Sequence, residues 1–495
     1  MRALVLGLGE SGLAIARWLA RENWALRVTD TRDEPPMRDA LRTSVPDAEF
    51  ISGPFSAVHL DGVDLVAISP GLSPATSPAA ALLKEAKARG IEAVGEIELF
   101  ARALARLKAE RGYRPRLIGV TGTNGKTTTT RLAGLLIERA GRRVAVAGNI
   151  SPTALDTLRA RLDADDLPEV WVLELSSFQL ATTGSLECDA ATVLNVTQDH
   201  LDWHGSLDAY AKAKARIFSR QTLQVLNRDD PVVMSMARRS SRVWTFGSGP
   251  PVRADEYGLV RDGALTWLAY AEETAAPRRR KVTGDAAPDA PVVESTIHVY
   301  RLMPAEALRL RGRHNAMNAL AAFALGRAID CPLAPMLHAL REYRGEPHRV
   351  ELIATIAGVE YYDDSKGTNV GATVAAVEGL GAEGRRLSVI LGGDGKGQDF
   401  TPLAAPLARH ARAVALIGRD ADRIAEALAG TQFPIERCAS LPEAVQACAR
   451  HACAGDAVLL SPACASLDMF RNYGHRSEVF AEAVREVGLE AGQPC

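Results

Sequence analysis

Short apolar runs ending in turn residues recur along the chain, and between them apolar positions return every three or four residues. The first pattern marks strands buried on both faces and the second marks helices that cover them. Their alternation predicts parallel sheets of the doubly wound kind. In the first module Ala3–Leu6 reads as a strand, Gly7-Leu8-Gly9-Glu10-Ser11-Gly12 as a turn, and a helix follows through Trp18 and Leu19. A second strand, Leu26–Thr29, ends at Asp30, and a third, Leu65–Ser69, ends in Ser69-Pro70-Gly71. Both strand ends put loops at the carboxyl edge of a parallel sheet, where ligands bind.

The same alternation resumes twice. The second module has strands at Leu117–Val120, Val170–Leu175, Thr192–Val196, Gln224–Asn227 and Val243–Phe246. Residues from about 249 to 300 break the pattern with Pro250-Pro251, the run Arg278-Arg279-Arg280-Lys281 and an Asp/Ala/Pro stretch over 285–291. That composition predicts an exposed, partly mobile excursion. In the third module strands Leu387–Gly392, Val414–Ile417 and Ala457–Ser461 alternate with helical segments near 401–410, 420–429 and 441–453. The expected fold is α/β with three domains, each a largely parallel doubly wound sheet. They are a Rossmann-like domain over 1–94, a central P-loop ATPase domain over 95–346 containing the excursion, and a Rossmann-like domain over 347–495.

Composition narrows the class. At 495 residues the chain exceeds a single core, and 47% hydrophobic with 24% charged residues is ordinary for a globular protein. A net charge of −2 argues against a general nucleic-acid binder. No apolar run approaches the roughly 20 residues that span a bilayer, and the N-terminal Met1–Leu6 is too short for a signal peptide. Seven scattered cysteines fit reduced thiols and a cytoplasmic setting. Cys438, Cys448, His451 and Cys453 match no common zinc spacing and read as part of an Ala-rich helix.

The chemistry concentrates in Val120-Thr121-Gly122-Thr123-Asn124-Gly125-Lys126-Thr127-Thr128, between the strand Leu117–Val120 and a helical pattern through Leu132, Leu135 and Leu136. Such a loop offers backbone N–H groups at a helix N-terminus, Lys126 as a cation for the β/γ-phosphates, and the Thr127 hydroxyl as an Mg²⁺ ligand. Val120 stands where the strict Walker pattern has its first glycine. Glu174 ends an apolar strand, where a charge is costly without a partner or a metal. His200, in Asn195-Val196-Thr197-Gln198-Asp199-His200, is delivered to the same sheet edge and is assigned to that metal site. Lys212 and Lys214 fit a solvated helix face by spacing alone. The Gly7/Gly9/Gly12 turn with Asp30 would by itself predict an NAD-dependent oxidoreductase. A non-enzymatic ATP-binding scaffold is also compatible with the glycine turns.

Gly122–Thr127, Glu174-Leu175-Ser176-Ser177-Phe178-Gln179 and Asn195–His200 together resemble the Mur ligases, which build the peptide of peptidoglycan. Asp364-Ser365-Lys366-Gly367-Thr368-Asn369, Gly392-Gly393-Asp394-Gly395-Lys396 and Leu460–Asp468 resemble the D-glutamate-adding branch of that family. The single N-terminal Rossmann-like module and the Asp364–Asn369 run oppose its other members and folylpolyglutamate synthetase. The resemblance covers nearly the whole chain outside the excursion. It implies an ATP-dependent ligase that adds D-glutamate to UDP-N-acetylmuramoyl-L-alanine through an acyl phosphate. It also implies a cytoplasmic monomer with two Mg²⁺ sites and small-molecule partners only.

By the same resemblance Gly9, Glu10, Ser11, Asp30, Thr31, Arg32 and Gly71 bind the UDP end, and Asn149 and His200 the muramoyl end. ATP falls to Gly122, Thr123, Asn124, Gly125, Lys126, Thr127, Thr128, Asn315, Arg349 and Asp364. Metal falls to Thr127, Glu174, His200 and a CO₂-derived carbamate on Lys214, since a buried lysine is readily neutral and able to capture CO₂. Thr368, Lys396, Ser466, Leu467 and Tyr473 form the D-glutamate pocket, with Tyr473 standing where phenylalanine is expected. Lys366 faces the reacting phosphate, and Lys126, Glu174, His200, Lys214 and Lys366 form the implied catalytic set.

Overall fold

In the computed structural model, which describes residues 1–263, 265–274, 296–310, 312–381 and 384–493, three sheets follow one another along the chain. The first has the order Glu49–Ser52, Ala25–Asp30, Arg2–Leu6, Leu65–Ile68, Glu92–Gly95, all parallel. Its central strands bury both faces. Ala3, Val5, Leu65 and Ala67 meet the helix Glu10–Arg21, while Leu4, Leu6, Val66 and Ile68 meet Leu82 and Ala86 of Ala80–Ala88. That two-sided burial is why these strands read as unbroken apolar runs.

The central sheet has nine strands and places Arg116–Thr121 between Ala190–Val193 and Val170–Glu174. Ile118 and Val120 are fully buried against Leu132 and Leu136 of the helix Lys126–Arg139. The loop between strand and helix is thereby fixed at the carboxyl edge of the sheet. The third sheet runs Glu351–Ile356, Val359–Asp363, Ala457–Leu460, Leu387–Gly392, Ala411–Ile417, Ile435–Arg437, parallel except for its first pair. Among the described residues no helix is long and apolar enough to cross a membrane.

The expectation of an exposed excursion over 249–300 is corrected over much of its length. Glu256–Asp262, Leu265–Thr274 and Thr296–Pro304 form an antiparallel meander that continues the central sheet. Tyr257, Leu259, Leu268, Tyr270 and Met303 are buried against Phe323 and its helix neighbours. The two-residue alternation of these apolar side chains is a strand signal, hidden in the sequence by the proline- and charge-rich stretches beside it. The Arg278–Lys281 run and residues 285–291 lie outside the described residues.

Candidate functional site

The glycine turn after Arg116–Thr121 is held by the loop that follows Ala190–Val193. Thr123 N donates to Asn195 O (2.9 Å) and Asn124 N to Asn195 Oδ1 (2.8 Å). Lys126 folds back over this loop, its Nζ donating to Gly122 O (2.9 Å) and Thr123 O (2.8 Å). Burial pulls its ammonium below the usual lysine range, so a polyphosphate entering the loop would meet a cation that gains by pairing.

Glu174 ends its strand with the side chain 2% exposed. Oε1 accepts from Asn149 Nδ2 at 2.9 Å, whereas Oε2 is buried without a hydrogen-bond partner among the described residues. An unsatisfied buried carboxylate oxygen next to a phosphate loop fits a divalent cation. Thr127 and His200, expected with Glu174 as ligands, offer a hydroxyl and an imidazole nitrogen, which are donors that a divalent cation accepts. His200 lies beside Asp199 (Nε2 to Oδ2, 3.4 Å). Burial first, then nearby Lys396, Lys126 and Lys214, holds its imidazole down at about 4 against the pull of Asp199, so it is neutral at pH 7.

The solvated-face expectation for the two lysines of Leu207–Ala215 divides between them. Lys212 pairs with Asp208 at 2.7 Å in solvent. Lys214 is 1% exposed, and its Nζ donates to the same Gly122 carbonyl as Lys126 (2.8 Å) and sits 4.2 Å from the Tyr210 ring centre. Burial, then the charge of Lys126, drives its pKa well below the ordinary value. A second ammonium on one carbonyl is electrostatically poor, and a neutral amine is the favoured form.

A cavity of 560 Å³ is lined by Asn124, Gly125, Thr128, Asn315, Arg349 and Asp364, joining expected nucleotide residues of the central and third sheets. Across that boundary Arg349 Nη2 donates to Thr127 Oγ1 at 2.9 Å. Burial raises the Asp364 carboxyl to about 7 despite the hydrogen bond from Ser461. The Lys366 ammonium is pushed down to about 8 by burial and by Arg349.

Gly9, Glu10, Ser11, Asp30, Thr31, Arg32 and Gly71 line a separate cavity of 400 Å³ in the first sheet. The buried Asp30 carboxylate there accepts from Leu8 N (2.7 Å) and from Arg32 Nη2 (2.8 Å). Although burial opposes it, Arg32 and these amides hold Asp30 at about 2. Asp30 therefore orders the turn and aims Arg32, and Arg32, Thr31 and Glu10 are exposed at the mouth.

Of the expected amino-acid residues, Thr368, Lys396, Ser466 and Leu467 occupy three loops at one edge of the third sheet, and Tyr473 opens the helix Tyr473–Glu490. Asp394 and Ala465 exchange backbone hydrogen bonds of 3.0 and 2.8 Å, tying the loop of exposed Lys396 to that of buried Ser466. Leu467, next to Ser466, is 73% exposed. The Tyr473 ring lies 5.2 Å from Lys366 Nζ. Thr368 N donates to Lys366 O at 3.0 Å.

Two polar groups not singled out in the sequence enter the same cleft. Asn318, one helical turn beyond Asn315, donates to Asn315 Oδ1 (3.2 Å) and lines the same 560 Å³ cavity. Asn369 pairs side chain to side chain with Asn124 (3.1 and 2.9 Å). The i, i+3 spacing of the two helix asparagines was the available signal for the first.

Three family domains match in series: a Mur ligase MurD-like N-terminal domain over 1–95, a Mur ligase middle domain over 120–326 and a Mur ligase glutamate ligase domain over 348–464. The chain is 60% identical over 493 residues to a UDP-N-acetylmuramoylalanine–D-glutamate ligase of Ralstonia nicotianae, covering 99% of this chain and 97% of that one. A ligase of the same description from Burkholderia vietnamiensis is 58% identical over 501 residues, with the same coverage. The crystal structure of a MurF ligase from Thermotoga maritima in complex with ADP superposes with a TM-score of 0.59 at 16% identity, over 98% of this chain and 95% of that one. At that identity the likeness speaks to the fold alone.

Proposed function

The chain belongs to the Mur ligase family, and from that premise we propose that it joins D-glutamate to UDP-N-acetylmuramoylalanine with cleavage of ATP to ADP. It is an ATP-dependent amide ligase of peptidoglycan precursor synthesis, which retires the NAD-oxidoreductase and scaffold alternatives. The observation that carries the assignment of the site is the 2.9 Å hydrogen bond from Arg349 to Thr127. It sets the phosphate loop of the central domain and the glutamate ligase domain around one cleft.

In the proposed reaction a carboxylate oxygen of the UDP-linked substrate attacks the γ-phosphorus of ATP, and ADP leaves. The amine of D-glutamate then attacks the acyl carbon, phosphate departs with that oxygen, and the amine loses a proton. Phosphoryl transfer of this kind rests on positioning and charge neutralisation. Lys126 and the Gly122–Thr128 amides would hold the β/γ-phosphates, and Arg349 the same group from the third domain. Lys366, half-buried with its pKa near 8, would face the transferred phosphate. Asn149, already bonded to Glu174, would orient the substrate carboxylate, and neutral His200 would accept or ligate beside it. Gly9, Glu10, Ser11, Asp30, Thr31, Arg32 and Gly71 would take the UDP end, and Thr368, Lys396, Ser466, Leu467 and Tyr473 the D-glutamate.

Mg²⁺ would be held by Thr127, Glu174 and His200, and a carbamate on Lys214 would add an anionic oxygen, together supplying charge neutralisation to the triphosphate. The neutral Lys214 amine would form a C–N bond to CO₂ and release one proton. The described cysteines are free thiols, which supports a cytoplasmic setting, and a monomer is the proposed working unit. The test is ADP release from ATP and UDP-N-acetylmuramoyl-L-alanine with either glutamate enantiomer. Turnover with D-glutamate and none with L-glutamate is expected; equal rates with both would overturn the assignment.

A further inference from the structure

The strand Glu92–Gly95 closes the first sheet and runs without a loop into the helix Glu96–Arg111, which packs on the central domain. An acid in a helix first turn ordinarily sits in solvent, where the dipole alone favours it. Glu96 is instead 1% exposed. Burial of a carboxylate requires converging donors, and they come from two segments. Oε1 accepts from Leu155 N at 2.9 Å with the Ala154 amide beside it, and Oε2 from Gln179 Nε2 at 3.4 Å. The Gln179 amide cannot turn round, because its Oε1 accepts from Ser176 N (3.0 Å) and Ser176 Oγ (3.2 Å).

Those two segments carry the substrate-facing pair. Leu155 opens the helix that follows the Asn149 loop, and Ser176 lies just beyond Glu174. Asn149 is bonded to Glu174 through its side chain (2.9 Å) and its backbone N–H (2.7 Å). In the other direction Gly95 pairs with Ile68, the residue before Ser69-Pro70-Gly71 in the wall of the first-domain cavity. The joint is tightly seated, since a Cβ on Gly95 would lie 2.2 Å from Thr182 Oγ1.

We propose that Glu96 is a positioning residue, which sets the separation between the UDP-binding loops of the first domain and the Asn149–Glu174 pair of the central one. The two ends of a long nucleotide-linked substrate are thereby presented in register. This inference rests on the UDP-substrate assignment above. It assigns Glu96 no contact with substrate.

The test is a swap across the Glu96–Gln179 pair. Glu96→Gln sets an amide donor against the Gln179 donor, and Gln179→Glu sets two carboxylates together. The double variant restores every hydrogen bond with donor and acceptor exchanged. Leaving this buried hydrogen bond unmade costs about 2 kcal/mol, so each single variant should raise KM for the UDP-linked substrate roughly 10- to 30-fold, with KM for ATP nearly unchanged. The double variant should recover to within about threefold of the unsubstituted protein. Unaltered kinetics in a folded single variant, or a double variant no better than the singles, would overturn the proposal. So would a parallel rise in KM for ATP. Absence of any ADP release by the unsubstituted protein would sink the functional assignment instead, so the two failures are distinguishable.

Discussion

Single residues carry the sharpest consequences. Glu174 Oε2 is buried and without a hydrogen-bond partner among the described residues, and the proposed cation site rests on that oxygen. Glu174→Ala and Lys126→Ala are each expected to lower kcat by roughly 10²–10³-fold or more, as loss of preorganised charge does elsewhere. The fold should survive, and near-normal turnover in either purified variant would remove the phosphate site from the account. Lys366 supplies a pH prediction. Burial lowers its pKa to about 8, so the ammonium is present below that value and is lost as pH rises through it. The profile of kcat/KM should fall on the alkaline side near pH 8, and Lys366→Gln should flatten that limb. An unchanged limb in the variant would assign the titration to another group. At this scale the phosphate loop was legible because strand, glycine turn and helix all agreed. Lys214 was only half legible, since spacing placed it with Lys212 on one helix, and the structure separates a solvated lysine from a buried one.

Elements decide where those residues stand. The strand Val144–Gly148 ends at Gly148, with φ 117° and a hypothetical Cβ only 2.2 Å from Glu174 O. The obstacle is backbone, so Gly148→Ala must push apart the two strand ends that carry Asn149 and Glu174. A cost of about 1–3 kcal/mol is expected, read as a lowered thermal midpoint, together with lost turnover. An alanine variant as stable and active as the parent would show the strand ends free to separate. The helix Leu207–Ala215 tests the carbamate. Activity should fall when CO₂ is stripped and return with bicarbonate, and Lys214→Arg should be inactive because guanidinium stays charged. Wild-type turnover of Lys214→Arg in bicarbonate-free buffer would return Lys214 to an ordinary buried lysine. The antiparallel strands Glu256–Asp262, Leu265–Thr274 and Thr296–Pro304 escaped the sequence because Pro250-Pro251 and the charged stretch beside them outweighed a short apolar alternation. Glu96 escaped for the opposite reason, since a first-turn acid is what any helix start shows.

Contacts across the whole molecule were the least legible, because nothing local announces them. Arg349 and Thr127 stand 222 positions apart, and Asn124 and Asn369 stand 245 apart. The third domain is expected to swing against the central one as ATP and amino acid bind, closing the cleft against water. The Asn124–Asn369 amide pair, with Asn369 also 3.4 Å from Asp199, bridges that boundary. Asn369→Ala should weaken closure by about 1–3 kcal/mol. X-ray scattering in the presence of ATP and the UDP-linked substrate should then give a larger radius than for the unsubstituted protein. Identical profiles would place the hinge contact elsewhere. If the domains meet to activate a carboxylate as an acyl phosphate, an ¹⁸O label in the substrate carboxylate of UDP-N-acetylmuramoyl-L-alanine follows the oxygen that is transferred. One labelled oxygen should appear in the released phosphate for each amide formed. Unlabelled phosphate accompanying amide formation would contradict the account.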